Sequence, residues 1–166
     1  MKKIPVSLRT ELESWSGISG EKNRCRKAIE KYRRIATADN ANPHDVGGAR
    51  LCLAHLLREK KNLTEAGAMY AEVAGMATAH PHDRGGAQMW VAHLLREQGK
   101  QEEALLAYSQ VLTVREAHPH DRGGAQTWIG VLHYEQAKAA FEAVAQSETA
   151  HKEDRKKAGT YLEKMK

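Results

Sequence analysis

The stretch "AHPHDRGGAQ" occupies residues 79–88 and returns without a change at residues 117–126. The chain has four prolines, and each is separated from the next by 38 residues: Pro5, Pro43, Pro81 and Pro119. Self-similarity at a fixed period of this order is typical of repeat proteins. The sequence therefore predicts one domain, 1–166, built from four units and a C-terminal tail: about 5–42, 43–80, 81–118, 119–150 and 151–166.

Each unit is expected to form two antiparallel helices, because alanine and leucine are abundant and apolar residues follow helical spacing. In the third unit, Gly99 can end the first helix in a left-handed conformation, and a second helix is expected from about Gln101. We expect the aspartate that follows each His-Pro-His to cap the first helix, as Asp83 would here. Pro81 is expected to stop the helix that precedes it.

The pattern resembles the tetratricopeptide repeat family, although its repeat is longer than the usual length of about 34 residues. In that family the first helix carries an apolar residue followed by a small one, and the second carries alanine and, four residues later, an aromatic residue. Two units match with the same spacing: Leu53-Ala54 with Ala66 and Tyr70, and Val91-Ala92 with Ala104 and Tyr108. The resemblance implies an all-α fold, a right-handed superhelical solenoid of antiparallel helix pairs.

The resemblance also implies that the first helices line a concave groove in which a partner protein or peptide binds. Nine residues are expected to face this groove: Leu51, His55 and Arg58, then Met89, His93 and Arg96, then Thr127, Val131 and Tyr134. Such a surface suits an extended or helical peptide with acidic and apolar residues, because arginine can bind a carboxylate through two hydrogen bonds. An ordinary solvated face, with Arg58 paired to Glu59 or a neighbouring acid, is the alternative.

Protonation of His55 and His93 is expected to strengthen the binding of an acidic ligand below neutral pH. The lysine and asparagine clamp by which members of the family hold chaperone C-termini is absent from the matching positions, so that ligand is not expected. The predicted function is therefore that of a non-catalytic scaffold or adaptor for another partner.

The histidines and aspartates of the repeated stretch raise the alternative of a metal-binding protein. The candidate ligands are His80, His82 and Asp83, and their copies His118, His120 and Asp121. A tight site needs three or four converging ligands, whereas here a proline separates the two histidines and the aspartate is expected to cap a helix. A phosphate site at Arg84 or Arg122 lacks the spacing of a phosphate loop. We expect no metal and no cofactor, and no catalytic set is present, so an enzyme is not expected.

The net charge of +5 is concentrated at the two ends of the chain, since residues 41–149 carry ten Lys and Arg against thirteen Asp and Glu. Four basic residues fall on one face of the second predicted helix: Arg24, Lys27, Lys31 and Arg34. A nucleic-acid-binding helical repeat is therefore an alternative, but the middle units lack a basic stripe with stacking aromatics, and nucleic acid is not the expected partner.

The sequence offers no signal peptide and no apolar run long enough to span a bilayer, so we expect a cytoplasmic protein that does not bind membranes. The two cysteines, Cys25 and Cys52, are too few for a disulfide framework and are expected to be reduced thiols.

The fourth unit departs from the pattern, because no turn residue follows Gly130. One continuous helix is expected from about 122 to 148, with a hairpin at about 133–137 as the alternative. The second half of such a helix could not fold back on the first half, and a second copy of the chain could cover it in a homodimer. The tail is expected to form a short capping helix that covers the open end of the stack with Ala158, Tyr161, Leu162 and Met165.

Overall fold

The structure is a computed structural model, and it describes residues 22–38 and 41–166. The described part contains seven helices and no strand, which confirms the expected all-α class. We number them α1 (Lys22–Ala36), α2 (Pro43–Glu59), α3 (Leu63–Gly75), α4 (Pro81–Glu97), α5 (Gln101–Thr113), α6 (Pro119–Gln146) and α7 (Lys152–Lys164). The first helix predicted for unit one lies outside the described residues, together with Pro5 and with Ser7, which is expected to cap this helix in place of an aspartate. The side chain of Cys25 also lies outside them.

Each helix packs against the next one in the chain, and α4 also contacts α2 and α6. The first helices of the later units, α2, α4 and α6, therefore lie side by side. The second helices, α3 and α5, each pack between the first helix before them and the first helix after them. This arrangement places residues at the same position of successive units next to one another. Within the described residues, no helix has the combination of length and apolar character needed to cross a bilayer.

The core combines wholly buried small residues with wholly buried tyrosines. Tyr70 and Tyr108 have no exposed surface, and six alanines are equally buried: Ala54, Ala66, Ala87, Ala92, Ala104 and Ala125. Alanine lets two helices cross at short distance, and tyrosine fills the space that remains between three helices. The apolar-small and alanine-aromatic positions noted in the sequence are therefore core positions.

The helix starts differ from the prediction that Asp83 and Asp121 are the caps, and that prediction was wrong. The helices α4 and α6 begin at the prolines themselves, and the residues before them, His80 and His118, are the caps. Nδ1 of His80 accepts a hydrogen bond from the backbone N–H of His82 at 3.2 Å, and His118 does the same for the N–H of His120 at 3.1 Å.

Proline suits the first position of a helix because its fixed φ is helical and its missing N–H would have no partner there. The aspartates occupy the third position, where a negative charge interacts favourably with the positive end of the helix. The prolines also do not stop the preceding helices, since α3 and α5 end earlier, at Gly75 and Thr113.

The first glycine of each Gly-Gly pair allows a close approach at the corner between units. A Cβ atom at Gly47 would lie 2.7 Å from Cβ of Ala79, and one at Gly85 would lie 2.8 Å from Cβ of Ala117. Gly123, the third copy, has no atom within 4 Å of the corresponding position. Glycine is therefore needed at the first two corners but not at the last one.

The fourth unit is one helix, α6, which runs for 28 residues without a break, and the hairpin alternative was wrong. Between Gly130 and the end of this helix the sequence has neither glycine nor proline, so nothing interrupts the helical hydrogen bonds. The tail forms α7, which packs on α6. The rings of Phe141 and Tyr161 stack with their centroids 4.9 Å apart, and the hydroxyl of Tyr134 donates to the carbonyl of Met165.

Candidate functional site

The nine residues predicted to face the groove lie on three adjacent helices. Leu51, His55 and Arg58 on α2 are half-buried, and so are His93 and Arg96 on α4. Met89 on α4 is buried, with 8% of its surface exposed. On α6, Val131 is half-buried, whereas Thr127 and Tyr134 are exposed. The histidines and arginines of α2 and α4 are thus partly enclosed by neighbouring side chains.

The two histidines each meet the buried tyrosine of their own unit. The hydroxyl of Tyr70 lies 2.7 Å from Nδ1 of His55, and the hydroxyl of Tyr108 lies 2.8 Å from Nδ1 of His93. Each pair spans a first helix and a second helix. Because the tyrosine hydroxyl is deep in the core, the histidine supplies the hydrogen bond that its burial requires.

The environment of these histidines disfavours their charged form. Burial, reinforced by the nearby positive charge of Arg58, lowers the pKa of His55 from 6.5 to about 4. The pKa of His93 is lowered for the same reasons, with burial first and the charge of Arg96 second. The expectation that His55 would gain charge just below neutral pH was therefore wrong, because burial was not visible in the sequence. His55 is a neutral group that positions Tyr70.

Each arginine covers a tryptophan that comes from the following unit. The guanidinium carbon of Arg58 lies 3.9 Å from the ring centroid of Trp90, and that ring is stacked on Tyr70 at 5.9 Å and 17°. One unit later, Arg96 lies 4.1 Å from the ring centroid of Trp128, which is stacked on Tyr108 at 6.4 Å and 10°. We call these sets the first and second Arg–Trp clusters: His55, Arg58, Tyr70 and Trp90, and His93, Arg96, Tyr108 and Trp128.

The arginines are held by the indole faces and not by acidic neighbours. A guanidinium over an indole gains about 0.5–1 kcal/mol at an exposed site, and about 2 kcal/mol when desolvated. Within the described residues, the buried Nε atoms of Arg58 and Arg96 have no hydrogen-bond partner. The pairing of Arg58 with Glu59, the solvated-face alternative, does not occur in the described structure.

Trp90 and Trp128 were not among the predicted site residues, although the sequence holds a signal for them. Each tryptophan follows its arginine by the same interval, and the two pairs are 38 residues apart. The units before and after these two clusters do not repeat the Arg–Trp pair. Tyr134 occupies the position that corresponds to Arg96, and Cys52 occupies the one that corresponds to Trp90. Burial, and then the charge of Asp83, raises the pKa of Cys52 to about 12, so this thiol is a poor nucleophile.

The corner histidines form a row along the starts of α2, α4 and α6. Adjacent ring centroids are separated by 5.8 Å for His44 and His80, 4.8 Å for His80 and His82, and 5.3 Å for His82 and His118. His120 extends the row, 6.5 Å from His118. Burial raises the pKa of Asp121 beside them, although three histidines oppose this shift. In residues 22–38 and 41–166, no three His, Cys, Asp or Glu side chains are arranged to hold a metal ion.

The basic residues predicted on one face of α1 are exposed where their side chains are described: Lys27, Lys31 and Arg34. The side chain of Arg24 lies outside the described residues. Arg33, between them, forms an ion pair with Glu65 of α3 at 3.0 Å. This face therefore offers positive charge beside a contact that joins two helices.

No protein-family model, curated protein or solved structure matches the chain. The repeated geometry of the two Arg–Trp clusters is thus the main guide to a functional site.

Proposed function

We propose that this protein is a non-catalytic interaction module of the tetratricopeptide type, a right-handed superhelical solenoid that binds a partner peptide on the face of its first helices. The observation that carries the proposal is the recurrence of the Arg–Trp cluster between α2 and α4 and again between α4 and α6. Two arginines held in the same way at the same position of adjacent units suit a chain-like ligand that passes both units.

The stacking on tryptophan prepares each arginine for binding. A guanidinium that lies flat on an indole has few rotamers left, so less conformational entropy is lost when it binds a ligand. The buried Nε and a hydrogen bond to the tyrosine of the cluster occupy part of each guanidinium. The N–H groups that face solvent can donate to a carboxylate in a charge-assisted hydrogen bond. Apolar side chains stand about two turns away, with Leu51 half-buried on α2 and Met89 buried on α4. We therefore propose a peptide with acidic residues at the spacing of Arg58 and Arg96 and apolar residues between them.

The other parts of the proposal follow from this role. A scaffold of this kind needs no cofactor and no catalytic group, and we place it in the cytoplasm, where its thiols would stay reduced. A nucleic-acid-binding repeat and a metal-binding protein remain the competing functions. Oligonucleotide binding that weakens steeply with salt would favour the first, and stoichiometric metal in the purified protein would favour the second.

The experiment is peptide-library panning, followed by titration of the selected peptides while the tryptophan fluorescence, to which Trp90 and Trp128 contribute together with Trp15, is recorded. The test variant is Arg58→Gln with Arg96→Gln, which removes both charges but keeps planar groups beside the indoles. The matched control is Arg115→Gln with Arg155→Gln, which removes two exposed charges on other parts of the surface.

We expect acidic peptides that bind the control as they bind the original protein and that bind the test variant at least about tenfold more weakly, since each charge-assisted pair contributes about 1.5–3 kcal/mol. Peptides that bind both variants equally would show that the Arg–Trp clusters are not the binding site. A fluorescence response that is unchanged by every selected peptide would contradict binding at the first helices.

A further inference from the structure

A cavity of about 410 Å³ lies between the second helices α3 and α5, with α4 beneath it. It shares no residue with the two Arg–Trp clusters. Its walls are largely small and apolar, with Ala74 and Val91 among them, and its polar groups are Arg84, Gln88, Gln110 and Thr113. The cavity opens to solvent, and its volume lies within the range of small-ligand sites.

Arg84 is the charged group of this cavity, and it lacks an internal partner. Its side chain is half-buried, and its buried Nε atom has no hydrogen-bond partner among the described residues. Neither an ion pair nor a hydrogen bond to another described residue satisfies the rest of the guanidinium. Arginine stays charged at every accessible pH, so the positive charge cannot be avoided by deprotonation. A ligand anion would supply the missing acceptor.

Arg84 differs from the residues at the equivalent position of the neighbouring units. One unit earlier the position holds Val46, which carries no charge. One unit later it holds Arg122, whose Nη1 donates to the carbonyl of Leu112 at 3.2 Å. The wall of the cavity also differs between units. Arg50 and Glu72 form an ion pair at 3.4 Å in the earlier unit, whereas the matching Gln88 and Gln110 form a neutral hydrogen bond at 2.8 Å.

This replacement removes a carboxylate from the vicinity of the arginine. The amide of Gln88 is already committed, because its Nε2 donates to the Gln110 side chain and to the carbonyl of Ala107. The hydroxyl of Thr113 likewise donates to the carbonyl of Gln110. Arg84 is thus the charged group of the cavity that is left to recognise a ligand, and the apolar walls would contact the rest of it.

From these observations we propose that the cavity between α3, α4 and α5 binds a carboxylate carried on a short apolar body, with Arg84 holding the carboxylate. The planar fork of an arginine matches the two oxygens of a carboxylate. A free branched-chain acid and the C-terminal residue of a peptide both present this chemistry, and the probes below distinguish these sources.

The test is a titration of isotopically labelled full-length protein, followed by the shifts of its backbone amide signals. The probes are 4-methylpentanoate, N-acetyl-Gly-Leu with a free carboxylate, the amide of that dipeptide, and inorganic phosphate. We expect saturable shifts near Gly75, Val91 and Val114 with one or both carboxylates. The amide should bind at least about tenfold more weakly, since it lacks the charge that Arg84 recognises.

Two substitutions at equivalent positions separate binding from folding. Arg84→Val introduces the residue that the earlier unit carries, and Arg122→Val is the matched control. The first should reduce carboxylate affinity about tenfold or more, and the second should leave it within about a factor of two. Arg84→Val should melt no lower than the original protein, because the unsatisfied guanidinium is gone. If it fails to fold, Arg84→Gln replaces it with a neutral polar group.

Saturation by the free acid alone would identify a small-molecule ligand, and saturation by the dipeptide would identify a chain terminus. Equal affinity for the amide, equal affinity for phosphate, or unchanged affinity in the Arg84 variant would overturn the proposal. An absence of saturable shifts with both carboxylates at millimolar concentration would overturn it as well.

Discussion

Gly85 and Ala117 meet at the corner between the third and fourth units, and their contact shows how little space a corner has. A Cβ atom at Gly85 would come within 2.8 Å of Cβ of Ala117, and within 3.5 Å of its Cα. Because Cα of Ala117 belongs to the backbone, no side-chain rotation at this corner can relieve the clash.

Gly85→Ala is therefore expected to destabilise the protein by about 1–3 kcal/mol, because the extra methyl group overpacks the corner. Gly123→Ala is the matched control, since Gly123 has no atom within 4 Å of the added Cβ. There the better helix propensity of alanine should stabilise the protein by up to about 1 kcal/mol. Urea unfolding followed by circular dichroism measures both changes. Equal effects of the two substitutions would contradict a close approach at Gly85.

Helices α2 and α3 are joined by the contact between His55 and Tyr70, and α4 and α5 by the equivalent contact between His93 and Tyr108. These contacts depend on neutral histidines. The pKa of His55 falls from 6.5 to about 4 on folding, so the unfolded chain binds a proton more readily between these two pH values. The stabilisation is thus complete above about pH 6.5 and is lost as the pH falls towards 4.

We expect the free energy of unfolding to decrease by about 3 kcal/mol across this interval on account of His55, with His93 acting in the same direction. Urea unfolding at a series of pH values from 7.5 to 4.5 measures the slope. His55→Gln should lower stability at neutral pH and flatten the pH dependence. His133→Gln, a change at an exposed histidine of α6, should alter neither. A slope that survives His55→Gln unchanged would contradict the burial of an uncharged imidazole.

At the scale of the whole molecule, the unbroken α6 leaves apolar groups in contact with solvent. Its second half packs on α7, but Tyr134 and Val144 retain 45% and 37% of their surface exposed. The homodimer expected from the sequence would cover these groups with a second copy of α6, and it stays a prediction. A symmetric pairing of one exposed surface with its copy is the commonest way to close such an interface.

Sedimentation equilibrium over a range of concentrations tests this prediction. We expect dimers that Val144→Lys weakens, because a charge would be buried in the interface. Ser109→Lys, on an exposed position of α5, should leave the association unchanged. A protein that stays monomeric at high concentration would contradict the homodimer.

The sequence predicted the helices better than it predicted the contacts between their side chains. Periodicity and the missing turn residues were enough to predict α4, the left-handed Gly99 and the unbroken α6. The caps were misassigned because a proline can end one helix or begin the next, and the choice depends on the neighbouring backbone. The stacking of Arg58 on Trp90 was missed because it joins two units, and side-chain direction between units follows from packing and not from local spacing.

Because the two corner stretches have the same sequence, the chain can gain or lose one whole unit by recombination. Residues 79–88 and 117–126 are the same, so an exchange between their coding segments would remove or add 38 residues and leave an intact corner. After a removal, the helix that carries Trp128 would follow α3 and meet Tyr70 and Arg58 in place of Trp90. After an addition, one more arginine and tryptophan would join the row. Recombination could in this way add or remove one Arg–Trp cluster at a time, and the sequence of the corner between the joined units would stay unchanged.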